Sequence, residues 1–205
     1  MDVKLIQNRK IILILISSTA ILCLIIFLIV FINSKFNPLP QIVASQTSSR
    51  ERVAFPDIDE SQLSEEKNNM IRILRAECIA NPKGTKYSEE ISEPWCANFV
   101  SWVFNQMGRP LKNPNSGSWR IPGTYTLREY YKSTDHLMMA GSNYSPKVGD
   151  VMLYDNPSPF GQHTNIVIKN KDGIVTTIGG NEPGGIRILE HVQKDKAGFI
   201  GYGLF

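Results

Sequence analysis

A run of apolar residues close to the N-terminus, Ile11 to Ile32, constrains this chain more than any other feature, and only Ser17, Ser18 and Thr19 interrupt it. As a helix rising 1.5 Å per residue it reaches about 33 Å, enough for a hydrocarbon core of roughly 30 Å. The apolar core of a cleaved signal peptide is typically about 7–15 residues, so the longer run here favours an uncleaved transmembrane helix. A buried core helix is disfavoured, because the segment is apolar all round and sits at a basic chain end. Lys4, Arg9 and Lys10 precede the run and only Lys35 follows it closely. The positive-inside bias then makes residues 1–10 a cytoplasmic basic tail, 11–32 a cell-membrane anchor, and everything beyond an outward-facing portion.

The residues left over must fold outside the membrane. In a chain of 205 residues, 42% of them hydrophobic, they suffice for one sizeable core but hardly two. Residues 33–60 carry Pro38, Pro40, Pro56 and a Ser/Thr/Gln patch without apolar periodicity, and read as a linker. Residues 61–205 then form a single domain. The net charge of +3, shared with the basic tail, gives no ground for nucleic-acid binding.

From Ser61 to Ala80 the pattern is helical, with Leu63, Met70, Ile71, Leu74 and Cys78 on one stripe and Asn81-Pro82 ending it. A second helix spans about Trp95 to Met107 and stops at Gly108 and Pro110. Residues 111–147 are irregular, with a short helix at 126–132. Beyond Pro146 the chain becomes strand-rich, at 150–154, 164–169, 174–178, 186–192 and 199–202. Helices first and short strands after predict an α+β fold, N-terminal helices packed on an antiparallel sheet.

The second helix places Cys96 at its first turn. At 100° per residue Cys96, Val100, Val103 and Met107 fall within about 60° of one another, so the thiol sits at the rim of the core. Helix starts offer unpaired N–H groups and a positive dipole end, the environment that stabilises a thiolate. The Cys96 N–H itself is a candidate oxyanion donor. Of three cysteines, Cys23 lies in the anchor; Cys78 and Cys96 lie outside, where a disulfide is permitted. Pairing would consume the nucleophile, and Cys78 reads instead as a small hydrophobe on a helix.

A thiol nucleophile needs a base, and the candidates are His136, His163 and His191. His163 opens the strand His-Thr-Asn-Ile-Val-Ile. A three-residue loop, Lys171-Asp172-Gly173, would return that strand so that Asn170 faces Ile174 and His163 faces Asn181. Directly opposed side chains share a face, so the Asn181 carboxamide would accept the imidazole N–H. A one-residue slip would turn Asn181 to the other face. There is no His-Glu-x-x-His, no Cys-x-x-Cys and no close histidine pair, so neither a metal nor another cofactor is expected. Glu89, Glu90 and Glu93 lack the spacing of an EF-hand and read as a solvated loop. Trp95 and Trp119 are candidate substrate-binding side chains, with core packing the competing role.

Four blocks stand in this order: Glu-Pro-Trp-Cys96-Ala-Asn-Phe-Val, Lys-Val-Gly-Asp150-Val-Met-Leu-Tyr, His163-Thr-Asn-Ile-Val-Ile and Thr-Ile-Gly-Gly-Asn181. Together they resemble the CHAP family, cysteine, histidine-dependent amidohydrolases/peptidases of papain-like fold. The likeness runs over about residues 65–205, and the closing Phe-Ile-Gly-Tyr-Gly is similar to that family's last strand. It implies Cys96 as nucleophile, His163 as general base and acid, and Asn181 as the residue orienting the histidine. It also implies hydrolysis of peptidoglycan amides, as an N-acetylmuramoyl-L-alanine amidase or as an endopeptidase of stem peptides and cross-bridges. Two departures stand out. Many members carry Glu two residues before the Asn, where this chain has Gly179, and many carry Val-Gly where it has Thr164-Asn165. Two other readings remain open: a non-catalytic wall-binding or scaffold module of a secretion or conjugation apparatus, and an amidase on a small soluble amide.

Overall fold

The computed structural model describes residues 54–158, 161–192 and 197–205. The expected basic tail, the membrane span at 11–32 and most of the linker lie outside these residues. Among the described residues no helix is long and apolar enough to cross a membrane. Contacts gather Arg52–Phe205 into one unit, whose described residues form three α-helices, two short 3-10 turns and a six-stranded sheet, in agreement with the expected mixed class.

The unit starts before the linker was expected to end. Phe55 and Ile58 pack partly buried on the core, the Arg75 guanidinium lies 5.0 Å from the Phe55 ring centre, and Arg75 pairs with Glu60 at 2.7 Å. Helix α1 (Glu65–Ala80) begins at Ser64, whose hydroxyl accepts from the Lys67 amide, and carries Glu65 and Glu66 at its positive end. Asn81 closes it in the left-handed conformation, with φ 41°. Met70, Ile71 and Leu74 form its buried stripe, while Leu63 and Cys78 are only partly buried. Helix α2 (Cys96–Gln106) buries Ala97, Phe99, Val100, Val103 and Phe104, and helix α3 (Thr124–Ser133) buries Leu127 and Tyr131. Helix α3 opens two residues earlier than its sequence pattern suggested, a shift that proves consequential for the thiol.

The strands are β1 (Leu137–Met139), β2 (Val151–Tyr154), β3 (His163–Lys171), β4 (Ile174–Glu182), β5 (Gly185–Val192) and β6 (Phe199–Gly203). They lie in the order β1-β6-β2-β3-β4-β5, with every adjacent pair antiparallel. Strand β1 went unread in the sequence; its three residues are too few to show an alternation. Helix α2 packs across β3 and β4, and Val151, Leu153, Ile166, Ile168 and Ile178 join the helices in the main core. The alternate residues Met152, Tyr154, Val167, Val175 and Tyr202 make a second apolar cluster. Strands buried on both sides lose the clean polar alternation of an exposed sheet.

The β3–β4 hairpin corrects the expected loop. Lys171 faces Ile174, leaving the two-residue turn Asp172-Gly173 with φ of 52° and 78°, the positive pair of a type I′ turn. A bulge between Val167 and Lys169 then shifts the ladder by one residue, so Ile166 faces Ile178. Past the bulge the pairing is the one the sequence predicted, reached from a different turn.

Asp150 fastens the sheet's end. Its buried carboxylate accepts the Lys147 amide at 2.7 Å, the Tyr144 hydroxyl at 2.7 Å and the Phe205 amide at 3.0 Å. Replacing Asp150 by Ala strands three donors, and the expected outcome is a loss of about 2–4 kcal/mol of stability. Urea unfolding of wild type and variant measures it; midpoints within error of each other would rule out this clamp.

Candidate active site

Cys96 is the first residue of α2, after Trp95, which offers no side-chain cap. The first-turn amides are therefore available to whatever sits at the helix mouth. The approach to that mouth is held rigidly. Trp95 stacks on Tyr87 with ring centres 5.2 Å apart and planes at 15°, and meets Phe99 edge-on. The Tyr87 hydroxyl donates to Glu77 on α1 at 2.6 Å, and Lys86 reaches the same carboxylate at 2.7 Å. Gly180 of β4 lies so close under the Trp95 indole that a Cβ there would overlap it.

The buried sulfur meets three donors. The Thr124 hydroxyl, on the first residue of α3, lies 3.7 Å from Sγ. The Ala97 backbone N–H and the His163 imidazole also hydrogen-bond to it. His163 opens β3 opposite Tyr154, and its Nε2 lies 2.7 Å from Oε1 of Glu182, with both side chains more than nine-tenths buried. Nδ1 is thereby left for the sulfur. Burial pushes the Cys96 thiol up, but the hydrogen bond and charge of His163, with Thr124 and the Ala97 amide, bring it below the ordinary thiol value. Burial likewise opposes protonation of His163, yet its bonds to Cys96 and Glu182 and their negative charge raise it to about 9. The two shifts describe one arrangement, a thiolate beside an imidazolium, the form in which a cysteine can act as a nucleophile.

The expected partner of the histidine is corrected. Asn181 is exposed and left-handed, with φ 61°. The β4–β5 ladder shifts between Gly179 and Glu182, so the residue turned toward His163 is the next one along. This is the one-residue slip to which a period of two is vulnerable. Gly179 makes the arrangement possible: a Cβ there would overlap Oδ1 of Asn165 and stand 3.1 Å from Oε1 of Glu182. The carboxylate that seemed missing at 179 is thus supplied from 182. The turn carrying it is gripped by Asn81 at the end of α1, which donates to the Gly184 carbonyl at 3.0 Å and accepts the Ile186 amide at 2.7 Å. Glu182 was not among the sequence candidates; the tandem glycines before it and Pro-Gly-Gly after it were the signal of irregular backbone.

The remaining candidates disperse. Trp95 serves the aromatic packing just described, and Trp119 sits partly buried in the loop before α3 with no hydrogen bond or ring contact among the described residues. His136 is exposed, with Nδ1 2.5 Å from the Thr134 carbonyl, and His191 is buried with Nε2 2.9 Å from the Thr177 hydroxyl. Glu93 accepts from Asn98 at 2.9 Å and pairs with Arg120. Cys78 and Cys96 are not joined in a disulfide.

Alkylation of the Cys96 peptide by iodoacetamide, followed by mass spectrometry across pH, reads this arrangement directly. The wild-type rate is expected to persist well below the ordinary thiol range of about 8.5. Glu182→Gln removes a charge that raises the histidine, so the imidazolium is lost at lower pH and the thiolate retreats to higher pH. About tenfold slower alkylation near pH 6 is expected, because the rate follows the thiolate fraction, which falls about tenfold when the thiol titrates one pH unit higher. Asn181→Ala is expected to leave the profile in place; the reverse ranking of the two variants would return the role to Asn181. In the same assay Thr124→Val is expected to slow alkylation near pH 6 about threefold, with Thr124→Ser restoring it. A Val variant with the wild-type profile would remove Thr124 from the site.

No curated protein and no solved structure matches the chain. The family model of the CHAP domain does match, over residues 87–181. That stretch takes in Cys96, Thr124 and His163 and ends one residue short of Glu182. The Cys96 thiol, the His163 imidazole and the start of α2 therefore stand within the residues of this chain that match the CHAP domain.

Proposed function

We propose that this protein is a membrane-anchored cysteine hydrolase that cuts amide bonds of bacterial peptidoglycan on the outer side of the membrane. CHAP domains are generally amidases and peptidases acting on that polymer. The observation that carries the reading is the buried hydrogen-bonded series of Cys96, His163 and Glu182 at a helix mouth. Residues 11–32 would hold the domain beside its substrate; the reading takes them as the anchor their composition suggests.

In this mechanism the Cys96 thiolate attacks the amide carbonyl carbon, forming a C–S bond as the carbonyl electrons move onto oxygen. The Cys96 N–H, unpaired at the first position of α2, donates to that oxyanion. The His163 imidazolium gives its Nδ1 proton to the departing nitrogen as the C–N bond breaks, leaving a thioester and a free amine. Neutral His163 then takes a proton from water, whose oxygen attacks the thioester. The C–S bond breaks, the acid leaves, and thiolate and imidazolium are restored. Glu182 keeps the ring in place and steadies its positive charge in both halves of the cycle.

Incubating purified cell wall with the full chain in detergent, then weighing released fragments by mass spectrometry, tests this. New amino and carboxyl ends are expected, and their position reports whether the bond to muramic acid or a peptide bond is cut. Cys96→Ala is expected to lose at least a thousandfold in rate while melting at the wild-type temperature. Fragment release undiminished in that variant, or wall binding by the wild type without any release, would reject hydrolysis by this thiol.

A further inference from the structure

A groove runs along α3 beside the candidate active site. Its narrow end is walled by Thr124, Tyr125 and Arg128 on the helix and by Tyr154, Asp155 and Gln162 on the strand side. Thr124 is the residue whose hydroxyl touches the Cys96 sulfur, and Gln162 immediately precedes His163. Tyr125 and Arg128 also line a wider cavity of about 530 Å³ that runs past Glu129 to Asn115 and Lys132. The groove therefore passes beside Thr124 and the residue before His163, and follows one helix outward.

Arg128 is distinctive within it. Arg72, Arg75, Arg109, Arg120 and Arg187 each have a hydrogen-bond or ionic partner. Arg128 alone among the described arginines has neither. Asp155 borders the same narrow end, but its Oδ1 is already held by the Asn156 amide at 2.8 Å and Gln162 Nε2 at 3.2 Å. Thr124, Arg128 and Lys132 follow one another at intervals of four on α3, so a hydroxyl on the sulfur, a guanidinium and an ammonium share one helix face. Tyr125, 58% exposed beside them, offers a ring for an extended chain to lie against.

We infer that this groove is the subsite for the acidic part of the substrate, with Arg128 taking a carboxylate of the peptide next to the bond that is cut. A planar guanidinium matches a carboxylate with two parallel hydrogen bonds, and an uncommitted one in a groove gains most from such a guest. Four helical residues advance about 6 Å, so Arg128 stands one helical turn from the Thr124 position. An extended peptide covers that distance in about two residues. The recognised carboxylate therefore lies within about two residues of the scissile amide, and Lys132 adds positive charge farther out. This rests on the peptidoglycan reading above for its substrate, whose stem peptides carry free carboxylates, but not on turnover.

Binding to the catalytically silent Cys96→Ala full chain in detergent separates the two claims. The probe is a synthetic cell-wall stem tetrapeptide with free carboxylates, compared by calorimetry with the same peptide fully amidated. The expected result is at least tenfold weaker binding of the amidated peptide. Adding Arg128→Gln is expected to weaken the free-carboxylate peptide to the same level, and Arg128→Lys to recover part of the difference. Since Arg128 makes no hydrogen bond or ion pair among the described residues, the Gln variant is expected to keep its melting temperature. Equal affinity for the two peptides, no binding of either, or a preference that survives Arg128→Gln would overturn the subsite. Arg128-dependent binding without wall digestion by the wild type would sink the hydrolase reading and keep the groove; wall digestion with indifferent binding would do the opposite.

Discussion

A charge pair excluded from water at the mouth of a helix organises this domain. Burial alone would leave Cys96 protonated and His163 neutral, so both depend on being neighbours, and the histidine depends further on Glu182. Such a pair contributes little to stability, because the desolvation of each ion offsets most of the attraction. The surrounding scaffold therefore has to hold it in place. Helix α1 acts twice, through Glu77 on the approach to Cys96 and through Asn81 on the turn behind Glu182. Asp150 ties the neighbouring strand to the chain's end.

The three groups reach one another by different routes. Cys96 needs only the start of a helix, which Pro94 and the apolar face of α2 fix locally. His163 needs the start of a strand beside β2, where Tyr154 faces it. Glu182 needs an interruption: the bulge in β4 rotates the chain so that a residue next to a tight turn points inward. Regular secondary structure thus delivers the thiol and the imidazole, and irregular structure delivers the carboxylate beside them.

This division explains what could be read in the sequence. Periodicity of 3.6 placed α1 and α2, and the strand pattern placed β2 to β6 within a few residues, because those elements bury continuous apolar faces. The thiol and the imidazole were legible because each opens such an element. Asn181 was not a safe reading, since a ladder counted from the hairpin tip carries every bulge forward as an error of one residue. The two-residue turn at Asp172-Gly173 and the bulge after Val167 happened to cancel, and the interruption in β4 did not. The start of α3 was missed because Gly123 supplies no side-chain cap, and with it went Thr124, whose hydroxyl reaches the sulfur. Charge partners such as Arg120 with Glu93, or the lack of one at Arg128, leave no trace in sequence spacing.

The bare backbone at Gly179 carries a consequence for how such domains can vary. The volume over that position is filled by the Glu182 carboxylate and the Asn165 carboxamide. An acid rooted at 179 and one rooted at 182 would contend for the same space, so the two solutions are mutually exclusive. A lineage could pass between them only by altering both sites together, or through a form in which the imidazole has no acid beside it.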